Sequence, residues 1–139
     1  MLMGKYQHTI DSKNRLIIPS KLKEQLGPVV VIMQDTGGCL SMYSKAEFEE
    51  YASELSAKHK HEVKDIVRYI YSKSIEIQPD AQGRVLLPQE MLEHCGITKN
   101  VITVGCGKYA EIWAEERWTE KGLDSEPDDF AARMAELGL

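Results

Sequence analysis

The sequence predicts an α+β protein built from two tandem β-β-α-β-β units with flanking helices. The main observation is an internal repeat. Residues 11–19, DSKNRLIIP, match residues 80–88, DAQGRVLLP, at Asp, Arg, three aliphatic positions and Pro. The match continues to Gly27 in the first copy and Gly96 in the second. Each copy also contains a helical pattern and two apolar, β-prone runs. We therefore interpret the chain as a duplicated unit of about 45 residues.

The first part of each unit is predicted to be a β-hairpin with a polar tip. In the first unit, residues 5–10 and 16–18 are rich in β-prone residues, and a short polar connection lies between them. Gly83 occupies in the second unit the position of Asn14 in the first, and both residue types tolerate a positive φ. We therefore expect a tight, exposed turn at both places.

A short helix is predicted to follow each hairpin. Pro19 and Pro88 have the fixed φ of a first helical position, and Gly27 and Gly96 suit the position just past a helix end. The apolar pairs expected to face the sheet one turn apart are Leu22 with Leu26 and Met91 with Cys95. Further strands are predicted at residues 29–33, 40–43, 101–104 and 111–113.

Two further helices follow from capping and periodicity. Ser44 and Glu47 form a capping box that starts a helix. Apolar residues from Val63 to Ile70 recur at helical spacing, which predicts a packed helical connection. The chain is thus divided into a first unit at 4–50, a helical connection at 51–72, a second unit at 73–120 and an acidic tail helix at 121–139.

The charge of the chain is unevenly distributed. The net charge is −5, but residues 111–139 hold nine acidic and three basic residues, so the other 110 residues are nearly neutral. Residues 1–28 carry five Lys or Arg against two acidic residues. A local basic patch is sufficient for phosphate contacts, so the overall charge does not exclude a nucleic-acid partner.

Several classes of protein are not indicated. No apolar run is long enough to cross a bilayer and no signal-like segment is present, which predicts a soluble cytoplasmic protein. Three cysteines without a CxxC pair indicate neither a disulfide framework nor a zinc finger. The motifs of hydrolases, zinc proteases and phosphate-binding loops are absent, so no catalytic residue, cofactor or small-molecule substrate is predicted. His59 and His61 would point to different faces of a helix, so no metal site is predicted there either.

The doubled motif also carries a family resemblance. Two copies of D-x-x-x-R followed by aliphatic residues and Pro, behind the opening residues GKYQH at 4–8, closely resemble the MraZ family of bacterial proteins. Single copies occur in the AbrB and MazE-like group of regulators and antitoxins, where two chains interleave hairpins into one β-barrel. The resemblance implies that this single chain supplies both halves of such a swapped-hairpin barrel, with pseudo-twofold symmetry.

The resemblance also implies a function. It implies a transcriptional regulator of the division and cell-wall gene cluster that represses its own promoter. Its partner would be double-stranded DNA carrying short direct repeats, which it would bind as a ring-shaped homo-oligomer associated with the nucleoid. An alternative is an antitoxin-like protein-interaction module, in which Phe130, Met134 and Leu137 of the tail contact a partner protein.

Arg15 and Arg84 are the residues best suited to read DNA, because a guanidinium can form two parallel hydrogen bonds with guanine or clamp a phosphate. The first tip is the more basic, so we expect it to bind DNA more strongly than the second. The other candidate DNA-binding residues are Lys13, Asn14 and Gln82 at the tips, and Lys5, Lys21 and Lys23 as phosphate contacts.

A structural interpretation of the same motif is that it braces the turn. Asp11 and Asp80 can pair with the arginines four residues later, and an exposed pair of this kind is worth about 0–1 kcal/mol. The two roles are compatible, since an arginine held in one rotamer loses less entropy on binding. Three aromatic side chains are expected in the core rather than stacked on bases, and these are Phe48, Trp113 and Trp118.

Overall fold

The structure is a computed structural model that describes residues 1–58 and 61–139. It is an α+β fold, and both copies of the repeat have the predicted β-β-α-β-β order. The elements of the first copy are β1 (Lys5–Thr9), β2 (Arg15–Ile17), α1 (Ser20–Leu26), β3 (Val30–Gln34), β4 (Leu40–Ser44) and α2 (Lys45–Ala57). The remaining elements are α3 (Lys64–Ser72), β5 (Ser74–Ile77), β6 (Arg84–Leu86), α4 (Gln89–Cys95), β7 (Asn100–Gly105), β8 (Tyr109–Ala114), α5 (Glu115–Glu120) and α6 (Phe130–Glu136).

The strand pairing differs from the predicted hairpins. Strands β1 and β2 are joined by a tight turn, but β1 pairs with β7 and β2 pairs with β6, each from the other copy. In the same way β5 pairs with β3. The prediction of β1–β2 and β5–β6 hairpins is therefore wrong. The pairing of β2 with β6 places their central side chains, Leu16 and Val85, in one shared core.

Exchange of the two copies leaves the sheet arrangement unchanged. The six-stranded sheet has the order β1-β7-β8-β4-β3-β5, which reads the same after each strand is replaced by its repeat partner. Ser41 lies opposite Glu111 at the centre of this sheet, and Leu16 lies opposite Val85 at the centre of the two-stranded sheet of β2 and β6. Each pair joins equivalent positions of the two copies. Strands β1 and β5 remain as edges, so the sheet is open rather than closed into the predicted barrel.

The main core lies between the two-stranded ribbon of β2 and β6, the helices α1 and α4, and the large sheet. Leu16 and Val85 are each only 1% exposed. The predicted helix residues Leu22, Leu26, Met91 and Cys95 are all buried in the same cluster. Pro19 and Pro88 occupy the N-cap positions of these helices, one residue before the predicted first helical position. Gly27 and Gly96 follow the last helical residues, with φ of 81° and 70°.

The helices that follow β4 and β8 differ in how their first turns are capped. The Ser44 hydroxyl accepts a hydrogen bond from the Glu47 N–H at 3.2 Å, which confirms the capping box at the start of α2. Helix α5 begins at Glu115, and its N-cap residue Ala114 provides no side-chain cap. Phe48, Trp113 and Trp118 are buried as predicted.

The predicted packing of the helical connection is wrong in part. Helix α3 contacts β3 and β5 at the sheet edge, but none of its residues is fully buried, and Ile66, Tyr69 and Tyr71 are exposed. A helix beside the edge strand covers only one strand width, so its other face stays in solvent. His59, one of the two histidines at which no metal site is predicted, and Lys60 lie outside the described residues. No helix in the described ranges is long and apolar enough to span a membrane.

The alternation of the ribbon gives a stability prediction. We expect Leu16→Ala to lower the free energy of unfolding by about 2–5 kcal/mol, because it opens a cavity in the shared core. Ile17→Ala, one residue later on the exposed face, should change it by about 0.5 kcal/mol or less. Urea unfolding of both variants measures the difference, and equal losses would contradict the assignment of the two faces.

Candidate nucleic-acid interface

The first candidate loop, residues 11–15, is held by the carboxylate of Asp11. Its Oδ1 accepts hydrogen bonds from the backbone N–H groups of Lys13 and Arg15, each at 2.9 Å, and its Oδ2 accepts one from Arg15 Nε at 2.8 Å. The backbone closes the turn, since the Asn14 N–H donates to the Asp11 carbonyl and the Asp11 N–H donates to the Arg15 carbonyl. One aspartate thus fixes both the loop backbone and the arginine side chain.

The second candidate loop, residues 80–84, repeats this arrangement. Asp80 Oδ1 accepts from the N–H groups of Gln82 and Arg84 at 2.9 Å, and Oδ2 accepts from Arg84 Nε at 2.7 Å. The residue before each arginine has a positive φ, 61° for Asn14 and 78° for Gly83. The turn expected at these two positions is therefore present in both copies.

Both aspartates are held in the charged form. The pKa of Asp11 lies below its ordinary value, chiefly because the backbone N–H of Arg15 donates to the carboxylate, and the guanidinium adds to this. The pKa of Asp80 is lowered by the same groups of Arg84. A carboxylate that accepts several hydrogen bonds is stabilised as the anion.

The arginine side chains keep most of their donors available. A guanidinium has five N–H donors, and each arginine uses only Nε in its bond to aspartate within the described part of the chain. The terminal Nη1 and Nη2 atoms of Arg15 and Arg84 have no hydrogen bond there. Each loop therefore presents a guanidinium of fixed orientation whose two terminal nitrogens are available for a bidentate contact.

The two loops lie on either side of the same ribbon. The Ile18 N–H donates to the Gly83 carbonyl and the Leu87 N–H donates to the Asn14 carbonyl, both at 2.9 Å. Because Leu16 and Val85 face the core, the alternation of a strand turns the neighbouring arginines to the outer face. The ribbon thus brings Arg15 and Arg84 together on one surface.

Among the predicted lysines, Lys13 lies on the first loop and Lys23 reaches the second. Lys13 is exposed on the first loop, as expected, and Gln82 is exposed on the second. Lys23 of α1 extends to the second loop, because a Cβ atom on Gly83 would lie 3.2 Å from its Nζ. The second loop therefore gains a positive charge that its own sequence lacks. The equivalent of Lys23 in the other copy is Leu92, which is buried, so the first loop receives no such lysine.

Two other predicted lysines are not part of the loops. Lys21 is exposed on α1. Lys5 lies at the end of β1 remote from the turn, and its Nζ forms an ion pair with Asp124 of the acidic tail at 2.7 Å. The structure thus brings Lys13, Asn14, Gln82 and Lys23 to the two arginines but leaves Lys5 away from them.

Sequence reasoning missed two residues of this surface. Ile17 and Leu86 were grouped with their neighbours as uniform aliphatic runs, but they are 55% and 57% exposed on the outer face of the ribbon. The signal that could have found them is the alternation of the strand. An arginine that faces outward requires the residue two positions later to face outward as well.

One group of side chains in the described residues has a composition that a metal could use. Oxygen or sulfur atoms of Asp35, Cys39 and Glu111 lie within 4.8 Å of one another, away from the arginine loops. Burial raises the pKa of the Cys39 thiol, which favours the protonated form rather than the thiolate that binds metals. The Ser41 hydroxyl and the Trp113 indole already donate to the two carboxylates.

The fold and the two arginine loops define a tandem-repeat α+β protein whose copies share one core and one exposed ribbon. Comparison with known proteins extends this description. The family described as "MraZ protein, putative antitoxin-like" matches the chain at residues 1–68 and again at 70–134. The chain belongs to this MraZ family.

Similar full-length proteins come from several bacteria. A protein of Clostridium acetobutylicum is 38% identical over 143 aligned positions that cover all of both chains. A protein of Caldanaerobacter subterraneus is 39% identical over 143 positions, again covering all of both chains. A protein of Lachnoclostridium phytofermentans is 35% identical over 140 positions that cover all of this chain and 99% of the relative. Each of these relatives is named "Transcriptional regulator MraZ".

The positive φ at the second loop gives a prediction with an internal control. Gly83→Ala should lower the free energy of unfolding by about 1–2 kcal/mol, because an alanine at this φ is strained. Gly83→Asn should cost less, since Asn14 already adopts the same conformation at the equivalent position. Urea unfolding measures both variants. Equal losses would mean that contact with Lys23, not backbone strain, dominates.

The aspartate bracing predicts a defined pH dependence. Because the folded-state pKa of each aspartate is below the ordinary value of 3.8, the bracing contributes stability above that value and is lost as the pH falls through the lowered pKa. In Arg15→Ala the pKa of Asp11 should rise yet stay below 3.8, since the backbone N–H of residue 15 remains. NMR titration of the Asp11 carboxyl carbon tests this, and a midpoint above 3.8 in the unaltered protein would contradict it.

Proposed function

We propose that this chain is a sequence-specific DNA-binding transcriptional regulator and not an enzyme. The observation that carries the proposal is the pair of braced arginines on one face of the ribbon, each with Nη1 and Nη2 available. The names of the full-length relatives support the regulatory role. Guanine O6 and N7 in the major groove are the acceptors that a bidentate guanidinium fits best.

The surrounding polar residues supply the contacts that position the protein. In the proposed complex, Lys13 beside the first arginine and Lys23 beside the second neutralise phosphates next to the bases that the arginines read. Lys21, exposed on the same helix two residues before Lys23, is a further proposed phosphate contact. Asn14 and Gln82 add neutral donors at the loop tips. Each loop therefore combines one base-reading group with at least one positive charge.

The proposed target is a set of short direct repeats in the promoter of the protein's own gene cluster, which encodes division and cell-wall functions. This follows from the family resemblance, as does repression of that promoter and association with the nucleoid. The proposed form is a ring-shaped homo-oligomer. A ring presents many loops, so weak contacts at successive repeats add up to tight binding. Exposed apolar residues on α3 and α6 offer surfaces for subunit contacts.

The proposed structural relationship is to the AbrB and MazE-like group. In that group two chains interleave their N-terminal strands, and here the two copies of one chain would take the place of the two chains. The pairing of β2 with β6 and the exchange symmetry of the strand order support this relationship. The two matches of the family, one to each half of the chain, support the duplication.

A second candidate function is an antitoxin-like contact with another protein. The observation that favours it is the tail helix α6, where Phe130 is 42% exposed and Leu137, directly after the helix, is 72% exposed. Capture of a single bacterial protein by the full chain, lost in Phe130→Ala and Leu137→Ala, would support this function. Capture that is unchanged in both variants would remove the tail from consideration.

The DNA-binding proposal is tested with DNA from upstream of the protein's own gene. Arg15→Ala and Arg84→Ala should each lower affinity for the footprinted segment by about 5- to 150-fold, the loss of a bidentate base contact of about 1–3 kcal/mol. Lys13→Ala should weaken binding to all sequences alike and reduce the salt dependence by about one phosphate contact. Fluorescence anisotropy at several fixed salt concentrations measures both effects.

Arg133→Ala is the matched control, because it removes an exposed arginine from α6 outside both loops. Circular dichroism and sedimentation confirm that each variant remains folded and assembled. Equal affinity of Arg15→Ala, Arg84→Ala and the unaltered protein for the same DNA would overturn the proposed function.

A further inference from the structure

The outer face of the β2–β6 ribbon carries two aliphatic side chains between the arginines. Ile17 is 55% exposed and Leu86 is 57% exposed. The residues that precede them in the two strands, Leu16 and Val85, are each 1% exposed. Single exposed aliphatic residues are common on protein surfaces and need no explanation. These two differ because they occupy equivalent positions of the two copies and share a short ribbon with both candidate base-reading residues.

The register pairs each aliphatic residue with an arginine. Arg15 lies opposite Leu86, and Ile17 lies opposite Arg84. Directly opposite residues of an antiparallel pair have Cβ atoms about 4.5–5.5 Å apart. Along each strand the arginine and the aliphatic residue are two positions apart on the same face. The four side chains therefore form a small square in which arginine and aliphatic residues alternate.

The chemistry of this square matches one type of ligand. A protein partner that buried Ile17 and Leu86 would also have to cover two guanidinium groups whose terminal nitrogens are unpaired in the described chain, which is costly without acceptors. The major groove of DNA admits a two-stranded ribbon and offers guanine acceptors and thymine C5-methyl groups side by side. Neighbouring base pairs are about 3.4 Å apart, so one cross-strand pair can reach two adjacent bases.

We propose that Ile17 and Leu86 are specificity-determining residues that contact thymine C5-methyl groups next to the guanines read by the arginines. The cross-strand pairs Arg15–Leu86 and Ile17–Arg84 would each read one step containing a guanine and a thymine. Loss of the methyl group leaves the arginine contact intact but removes the apolar contact. The inference rests on the proposed DNA binding and adds a second base type to the recognised sequence.

The experiment replaces thymine by deoxyuridine within the footprinted segment, which removes only the methyl group. The unaltered protein should lose about fourfold in affinity for each contacted methyl, the value of burying one such group. The double variant Ile17→Ala, Leu86→Ala should bind thymine DNA more weakly and show no further loss on deoxyuridine DNA. Leu123→Ala, which removes an exposed aliphatic side chain between α5 and α6, should behave like the unaltered protein.

The outcomes separate this inference from the proposed function. If Arg15→Ala weakens binding but the unaltered protein binds thymine and deoxyuridine DNA equally, the methyl contact is overturned and DNA binding stands. If the double variant keeps the full sensitivity to deoxyuridine, Ile17 and Leu86 are not the contacts, and the inference is again overturned. If Arg15→Ala and Arg84→Ala both bind normally, the proposed function itself fails. The comparison of the two DNAs with the unaltered protein needs no variant, so it remains decisive even if the double variant does not fold.

Discussion

The pairing of β2 with β6 is the constraint on which the rest of the structure depends. Each strand contributes only three residues to this pairing. Their central side chains, Leu16 and Val85, join the two copies and cover one side of the main core. The same pairing fixes the distance between the loops at residues 11–15 and 80–84, because the strands begin where the loops end. A shift of register by one residue would turn Leu16 into solvent and Arg15 into the core. Core packing and the arrangement of the arginines are therefore specified together.

The ribbon sets the positions of the two arginines, and the loops hold their side chains in a fixed orientation. Each aspartate satisfies two backbone N–H groups and one guanidinium N–H, so the turn and the side chain are ordered before any ligand arrives. A long side chain that is immobilised only on binding costs about 0.5–1.5 kcal/mol, and this cost is reduced in advance. Pairing through Nε is important, because it leaves Nη1 and Nη2 for a partner. The bracing role and the binding role of Arg15 thus use different atoms.

The sequence predicted local features well and long-range ones poorly. The helices α1 and α4, the capping box at Ser44 and the turns at Asn14 and Gly83 were all predicted, because capping and positive φ depend on near neighbours. The partner of β1 was predicted wrongly, since the periodicity of a strand shows which side is apolar but not which strand lies beside it. Burial of α3 was overestimated for the same reason, as a helical stripe does not reveal that the sheet ends beneath it. Lys23 was expected near DNA, but its position beside Gly83 of the other copy was not predicted. That position depends on the pairing of β2 with β6, which is a long-range contact.

The duplication within one chain allows the two loops to differ, which two identical chains could not do. In the first loop the positive charge beside the arginine comes from Lys13, and Asn14 carries the positive φ. In the second loop Gln82 replaces the lysine, Gly83 replaces the asparagine, and the missing charge is supplied by Lys23. Glycine adopts the positive φ of this loop without strain, and the Lys23 side chain lies beside it. The equivalent of Lys23 is the buried Leu92, so at this position α4 contributes a core side chain and α1 a surface charge. Unequal sequence has therefore produced two loops of similar charge, each built from different parts of the chain.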